Sequence, residues 1–358
     1  MVEFRAEDNQ GTIPVQEKHR IDVNALQGYL RQNIKGFTGP LMIEEFAGGQ
    51  SNPTYLLTAG KSRYVMRRKP PGQLLKSAHA VDREYRVISA LQETDVPVAR
   101  TYALCTDESI IGTWFYVMEY LDGRVIWDSY DGPMAATDRR EIWLAANQSL
   151  SRLHNVNFES VGLSDYGKHT DYIARQISRW AGQYEYTKTI ENVYMDNLIA
   201  YLPKNIPEED ACTIVHGDYK IDNLMIHSER NEVIGILDWE LSTLGNPLSD
   251  LAYLCRPYRD ALRTLSSRQL KDRGIPLEEE YIEYYCKLTG RNNIPDWDYY
   301  LAFNMFRLAA ILQGIARRVL DGTAASKQAE QAGAGALTMA RLAWAQIDKS
   351  VNLDEAIR

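Results

Sequence analysis

The chain is predicted to be an α+β protein of two lobes, with a small antiparallel-sheet N-terminal lobe over residues 1–121 and a mostly helical C-terminal lobe over 122–358. Three features predict this. Short apolar runs of period two, broken by glycine and proline turns, recur between residues 43 and 118, as half-buried strands do. Beyond Tyr120 the apolar residues fall three and four apart, as on helices. One return to strand-like runs, at residues 213–237, encloses a polar segment with three carboxyl and amide side chains.

The elements follow in order. Val2 to His19 is polar and reads as a loose arm, and Asp22 to Asn33 as a first helix. Ile43 to Phe46, Thr54 to Thr58 and Ser62 to Arg68 read as strands. The first two are separated by the turn cluster Gly48-Gly49-Gln50-Ser51-Asn52-Pro53, and Pro70-Pro71-Gly72 ends the third. Val81 to Leu91 is an amphipathic helix, and Thr101 to Cys105 and Thr113 to Met118 are two more strands. The apolar run Ile110 to Met118 is too short for a bilayer and reads as a buried strand. Asp138 with Glu141 resembles a helix-capping signal, and the helix it opens carries Trp143, Ala146, Leu150 and Leu153 on one face. A helix covers Tyr172 to Tyr184. Thr213 to Val215 is a short strand, and Leu224 to Ile226 pairs with Val233 to Leu237 around the turn Ser228 to Asn231. From Asp250 onward the chain is mostly helical.

Composition narrows the function. With 45% hydrophobic residues the chain can bury a core, and a net charge of −8 argues against a nucleic-acid partner. Cys105, Cys212, Cys255 and Cys286 are far apart, so neither a disulfide framework nor a zinc site is expected, and a reducing, cytoplasmic location fits. Met1 to Gln10 carries acids and no apolar core, so neither a secretory signal nor membrane association is expected. Residue composition leaves the oligomeric state open.

The chemistry gathers in His216-Gly217-Asp218-Tyr219-Lys220-Ile221-Asp222-Asn223 and the later Leu237-Asp238-Trp239-Glu240. Phosphoryl transfer needs a carboxylate to hold the acceptor hydroxyl, and an amide oxygen and a second carboxylate to hold magnesium against the phosphates. The Asp-x-x-x-x-Asn spacing followed by an aspartate at a strand end supplies that set, as in protein kinases. Asp218 is then the catalytic base. Asn223 and Asp238 are the metal ligands, and Lys220 is a catalytic cation for the transferring phosphate. His216 braces the loop. There is no A-P-E and no long segment after Asp238, which favours a small-molecule acceptor over a protein. A G-x-G-x-x-G opening a helix and a G-x-x-x-x-G-K-[ST] are also missing, which argues against a Rossmann or P-loop enzyme.

These residues, with Ile236-Leu237-Asp238-Trp239 and the following Gly245-Asn246-Pro247 and Asp250, resemble the aminoglycoside phosphotransferase and choline kinase-like superfamily, over most of the chain. Gln50 to Leu57, Tyr64 to Gly72 and Ser77 to Ile88 resemble most the kinase-like region fused to some acyl-CoA dehydrogenases. The resemblance implies a bilobal protein-kinase-like fold, ATP and Mg2+ as cofactors, and a small-molecule hydroxyl acceptor. A hydroxyacyl-CoA is the first expectation for that acceptor and an aminoglycoside-type antibiotic the second. A catalytically inactive nucleotide- or CoA-binding module is the rival of another class.

For ATP, strand alternation puts Arg67 where the family usually has lysine, with Lys69 on the same face as the fallback. An arginine keeps its charge and prefers forked contacts. Its expected partner is Glu84 on the following helix. Gly48, Gly49, Gln50 and Ser51 stand where a phosphate-covering loop belongs. Met118 to Leu121, with Glu119 and Tyr120 at its centre, is the expected hinge whose backbone meets adenine. Arg175, Arg179, Arg307 and Arg318 are candidates to hold the phosphates of a CoA-like acceptor. Glu278, Glu279 and Glu280 suit a helix start, where acids favour the dipole.

Overall fold

The computed structural model describes residues 11–47, 52–70, 79–208, 211–322 and 329–351. Its N-terminal part is a six-stranded sheet ordered β1-β2-β3-β4-β6-β5. The strands are β1 (Thr12–Ile13), β2 (Leu41–Phe46), β3 (Thr54–Ala59), β4 (Ser62–Arg68), β5 (Thr101–Cys105) and β6 (Phe115–Glu119). All pairings in it are antiparallel. Helix α1 (Val23–Asn33) covers one face through Leu26 and Leu30 and is capped by Asp22, whose carboxylate accepts from the Ala25 N–H. Helix α2 (Val81–Leu91) follows β4, but its Val87, Ile88 and Leu91 are buried in the larger core shared with the C-terminal helices. Thus α2 packs against both lobes, together with Val96 and Tyr116.

After β7 (Gly123–Val125) the chain is helical: α4 (Ala136–Asn155), α5 (Tyr172–Thr187), α6 (Val193–Tyr201), α7 (Pro247–Cys255), α8 (Ser267–Asp272), α9 (Glu278–Thr289), α10 (Trp297–Leu320) and α11 (Ala329–Ile347). The short α3 (Glu108–Ile111) precedes β6. Strands β9 (Leu224–His227) and β10 (Val233–Ile236) form the expected hairpin, with β7 on its other edge. Strand β8 (Thr213–Val215) pairs with β11 (Thr243–Gly245). Among the described residues no helix is long and apolar enough to cross a membrane.

The structure corrects three expectations. The described part of the N-terminal arm is pinned: Thr12 and Ile13 pair with β2, and the Glu45 carboxylate accepts from Gln16 N and Gln16 Nε2 and meets His19 Nδ1 at 2.7 Å. The run from Ile110 is not one strand, because Asp107 caps α3 and Gly112 ends it in a left-handed conformation before β6 begins. Asp138 caps nothing; α4 starts at Ala136, and the Asp138 carboxylate instead accepts from Asn231 Nδ2 in the β9–β10 turn.

Candidate active site

Strand β8 delivers the chain into a loop whose backbone is held from several sides. The buried Asp250 carboxylate, on α7, accepts from His216 N at 2.6 Å and Gly217 N at 2.9 Å. Burial alone would push the Asp250 carboxyl up. His154 beside it and the Gly217 N–H outweigh burial and hold it below the ordinary carboxylate value. His154 is buried too, which lowers its pKa and keeps it neutral. Its Nε2 lies 3.4 Å from Asp250, and its Nδ1 accepts from the Tyr285 hydroxyl at 2.7 Å. From α10, Arg307 donates to the Gly217 carbonyl. Gly217 has φ +84°, and a Cβ there would stand 2.7 Å from the Leu241 carbonyl oxygen. Only glycine fits this turn without displacing backbone.

This clamped turn presents Asp218. Its N–H donates to His216 Nδ1 at 3.2 Å, which leaves His216 Nε2–H to donate to the Leu237 carbonyl at 2.8 Å. Leu237 N–H in turn donates to the Asn223 carbonyl at 2.9 Å. These two bonds fix the peptide before Asp238 against the loop that carries Asp218 and Asn223. Asn223 Nδ2 donates to Asp218 Oδ2 and to the Asp218 carbonyl, both at 2.9 Å. The amide nitrogen is thereby spent on Asp218, and the amide oxygen is left as an acceptor. Asp238 itself is left-handed, with φ 63° and ψ 61°, a conformation uncommon outside glycine that aspartate and asparagine adopt more readily than other residues. Asn223 and Asp238 thus offer oxygen donors of the kind that suit magnesium.

Across the cleft, β4 points Arg67 into the cleft and Arg68 to the opposite face of the sheet, as strand alternation requires; there Arg68 is buried against Tyr55 and donates to the His19 carbonyl. Arg67 Nη2 donates to Asp238 Oδ1 at 2.7 Å, and Glu240 lies at 3.8 Å. Arg67 Nε stands 2.9 Å from Glu84 Oε2, an ion-pair contact whose N–H direction falls short of a hydrogen bond. Burial opposes the Arg67 charge, but Glu84, Tyr116, Asp238 and Glu240 outweigh it and raise its pKa. Glu84 is buried, which pushes its carboxyl up, while Arg67 pulls it back. Asn52 Nδ2 and the Tyr116 hydroxyl donate to its two oxygens at 2.8 and 3.1 Å. Lys69 is occupied elsewhere, its ammonium 4.0 Å from the centre of the Trp114 ring. Lys220 Nζ lies 3.1 Å from Asp222 and 3.8 Å from Asp218. Burial opposes its charge, and these carboxylates more than offset that.

At the hinge, Glu119 N–H already donates to the Arg100 carbonyl at 2.7 Å, and Arg100 N–H donates to the Glu119 side chain at 3.2 Å. Tyr120 stacks under Arg63 with the guanidinium 4.0 Å from the ring centre. Glu119's own N–H is therefore already used, while its exposed carboxylate accepts through one oxygen only. Gly48, Gly49, Gln50 and Ser51 lie outside the described residues.

The four candidate acceptor arginines do not form one cluster. Arg179 and Arg307 both lie against the Trp180 ring, at 5.3 and 5.7 Å. Arg175 donates to the Lys168 carbonyl at 3.2 Å. Arg318 is eleven residues beyond Arg307 on α10, about 16 Å along the axis. Eleven residues return the pair to one face of α10, but a single phosphate cannot span that distance, so the two would meet different anionic groups. Two residues were not singled out from sequence. Asn52 was read as a turn residue, yet it is buried and holds Glu84. His154 carries no motif and supports Asp250 from 96 residues away in sequence.

Residues 42–300 match the phosphotransferase enzyme family. The chain belongs to that family. The family match supports a small-molecule phosphotransferase. Acyl-CoA dehydrogenase family member 10 of Mus musculus is 42% identical over 339 residues, covering 93% of this chain and 32% of that protein. Probable acyl-CoA dehydrogenase IBR3 of Arabidopsis thaliana is 40% identical, covering 95% of this chain and 44% of that protein. The chain spans less than half the length of these curated relatives. A crystal structure from Ralstonia eutropha, described as a candidate aminoglycoside phosphotransferase, is 46% identical with a TM-score of 0.85, covering 92% of this chain and 99% of its own. Choline kinase from Cryptosporidium parvum shares the fold at 12% identity and a TM-score of 0.63, covering 94% and 99%.

Proposed function

We propose that the chain transfers the γ-phosphoryl group of ATP, with Mg2+, to a hydroxyl of a small molecule, and that a hydroxyacyl-CoA is the acceptor. The observation that carries the chemistry is the Asp218–Asn223 pair, hydrogen-bonded at 2.9 Å and tied through Leu237 to Asp238. Asp218 takes the proton of the acceptor hydroxyl as its oxygen bonds to phosphorus, and ADP leaves with the electrons of the broken P–O bond. Lys220 neutralises charge on the transferring group. Asn223 and Asp238 would hold magnesium, which supplies charge neutralisation at the phosphates. Arg67, released from Asp238, contacts ATP phosphate while Glu84 holds its other side. Residues 1–121 grip the nucleotide, and residues 122–358 carry the base and the acceptor pocket. The identity with acyl-CoA dehydrogenase family proteins, spread over nine-tenths of this chain, supports a CoA ester as acceptor.

The test is ADP release from MgATP against hydroxyacyl-CoAs, aminoglycosides, choline-like alcohols and sugars, with Asp218→Asn as control. Stimulation by hydroxyacyl-CoAs alone, lost in the variant, is the expected result. Stimulation by aminoglycosides alone would replace the acceptor. ATP binding without turnover on any acceptor would favour a binding module.

A further inference from the structure

Arg307 is a cation in an unusual place. It is only 6% exposed, yet it forms no ion pair with a carboxylate among the described residues. A buried charge is ordinarily paired, because removing it from water is costly. Among the described residues its single hydrogen bond is from Nη2 to the carbonyl of Gly217, the residue before Asp218. Nε is buried with no partner, and Nη1 bonds to no described residue. The guanidinium carbon lies 5.7 Å from the Trp180 ring centre and 5.5 Å from that of Tyr253. Tyr253 in turn feels the charges of Asp218, Arg256 and Lys220. The cation is therefore anchored one residue from the base, between two aromatic rings, with donors to spare.

Bracing the loop accounts for Nη2 alone. A neutral donor would suffice for one carbonyl, and Asp250 already holds the same peptide from its N–H side. The remaining donors and the uncompensated charge fit an oxygen supplied by a ligand. Adjacent residues are ~3.8 Å apart. The oxygen bound by Arg307 thus belongs to a group a few bonds from the hydroxyl that Asp218 takes.

We infer that Arg307 is the specificity residue for the acceptor and binds its acyl oxygen, the thioester carbonyl of a hydroxyacyl-CoA, beside the reacting hydroxyl. This rests on the hydroxyacyl-CoA reading of the same site. It also explains selectivity, since a polycationic acceptor would meet Arg307 as a like charge, whereas a carbonyl or carboxylate completes its hydrogen bonding. Arg179, exposed on the outer side of Trp180, stands where a more distant anionic part of the same ligand would pass.

The experiment compares two probes that differ only in that oxygen, butyryl-CoA and its thioether S-butyl-CoA. Binding is measured by calorimetry to the full chain, without turnover. Wild type is expected to bind the thioester about 10-fold or more tighter, as loss of a hydrogen bond to a charged group predicts. Arg307→Met should bring the ratio to about one while leaving ATP affinity unchanged, and Arg307→Lys, which can keep the Gly217 bond, should retain part of it. A loop-bracing role alone would lower turnover and leave the ratio untouched. Equal binding of both probes by wild type would overturn the inference and leave the acceptor assignment standing, and this arm needs no variant to fold. Retention of the full ratio in Arg307→Met would also overturn it. Binding of neither probe would overturn the CoA acceptor itself, and the inference with it.

Discussion

Replacing Arg67 by methionine keeps the length of the side chain and removes its charge. Three carboxylates lose a contact, two of them close: Glu84 and Asp238, with Glu240 more distant at 3.8 Å. Asp238 is about a third exposed, so water screens its loss and little stability follows from it. Glu84 is 2% exposed and loses an ion-pair contact of 2.9 Å. Removing one partner of a buried pair costs ~3–5 kcal/mol. Glu84 keeps its hydrogen bonds from Asn52 and Tyr116 and can take up a proton, so the low end, about 3 kcal/mol, applies. In domains of 150–250 residues ~1 kcal/mol moves Tm by ~2–4 °C, and less in a longer chain, so the expected drop is about 5 °C. The pH dependence has a definite sign. Without Arg67 the folded-state pKa of Glu84 rises further above its ordinary value of 4.5, so the folded state binds the extra proton. The deficit relative to wild type therefore grows as pH rises above that value and shrinks toward it. Thermal melts across this range, paired with ATP binding by calorimetry, form the assay. ATP affinity should fall about 10–100-fold in Arg67→Met, and by less in Arg67→Lys, which restores one charge but not the fork. A methionine variant that melts with wild type at every pH and binds ATP equally would refute the account of this pair.

The other predictions concern the loop and its support. Gly217→Ala forces a Cβ to 2.7 Å from the Leu241 carbonyl at a left-handed φ, costing ~1–3 kcal/mol. Steady-state assays should show kcat reduced by about 10-fold or more with ATP affinity retained. His154 is neutral when folded, with a pKa below the ordinary 6.5, so the unfolded chain binds its proton first as pH falls. The stability it contributes is complete above 6.5 and is lost as pH drops from there through the depressed folded value. Melting temperatures of His154→Gln should accordingly vary less with pH over this window than those of wild type.

Helix and strand bounds that depend on local pattern were legible in the sequence. Val81–Leu91, Ser62–Arg68 and Thr213–Val215 have the bounds that periodicity predicts. The candidate segment stood out because phosphoryl transfer constrains residue type and spacing together, and the structure brings Asp218, Asn223 and the Asp238 turn next to one another. Alternation placed Arg67 and Lys69 on one face without deciding between them; the Glu84–Asp238 pincer around Arg67 and the Trp114 ring under Lys69 distinguish the two. What was not legible depends on contacts distant in sequence. Asn52 meets Glu84 only once β3 and α2 are packed, and Asp138 abandons its apparent capping role because Asn231 arrives from a hairpin 93 residues later. Arg307 was singled out by helical spacing with Arg318. Its partner Gly217 is 90 residues away, and no periodicity reveals that only one of the two reaches the loop.

In the proposed reaction Asp218 is the base of an ATP-dependent phosphoryl transfer. The most direct measurement is transfer of labelled γ-phosphate to a hydroxyacyl-CoA by wild type and by Asp218→Asn, with ATP affinity determined on the same samples. Asparagine keeps the size of the side chain and removes its ability to take a proton. Transfer should fall by ~10²–10⁴ while ATP affinity stays within about threefold. A variant that transfers phosphate at the wild-type rate would contradict the assignment of Asp218 and the site built around it.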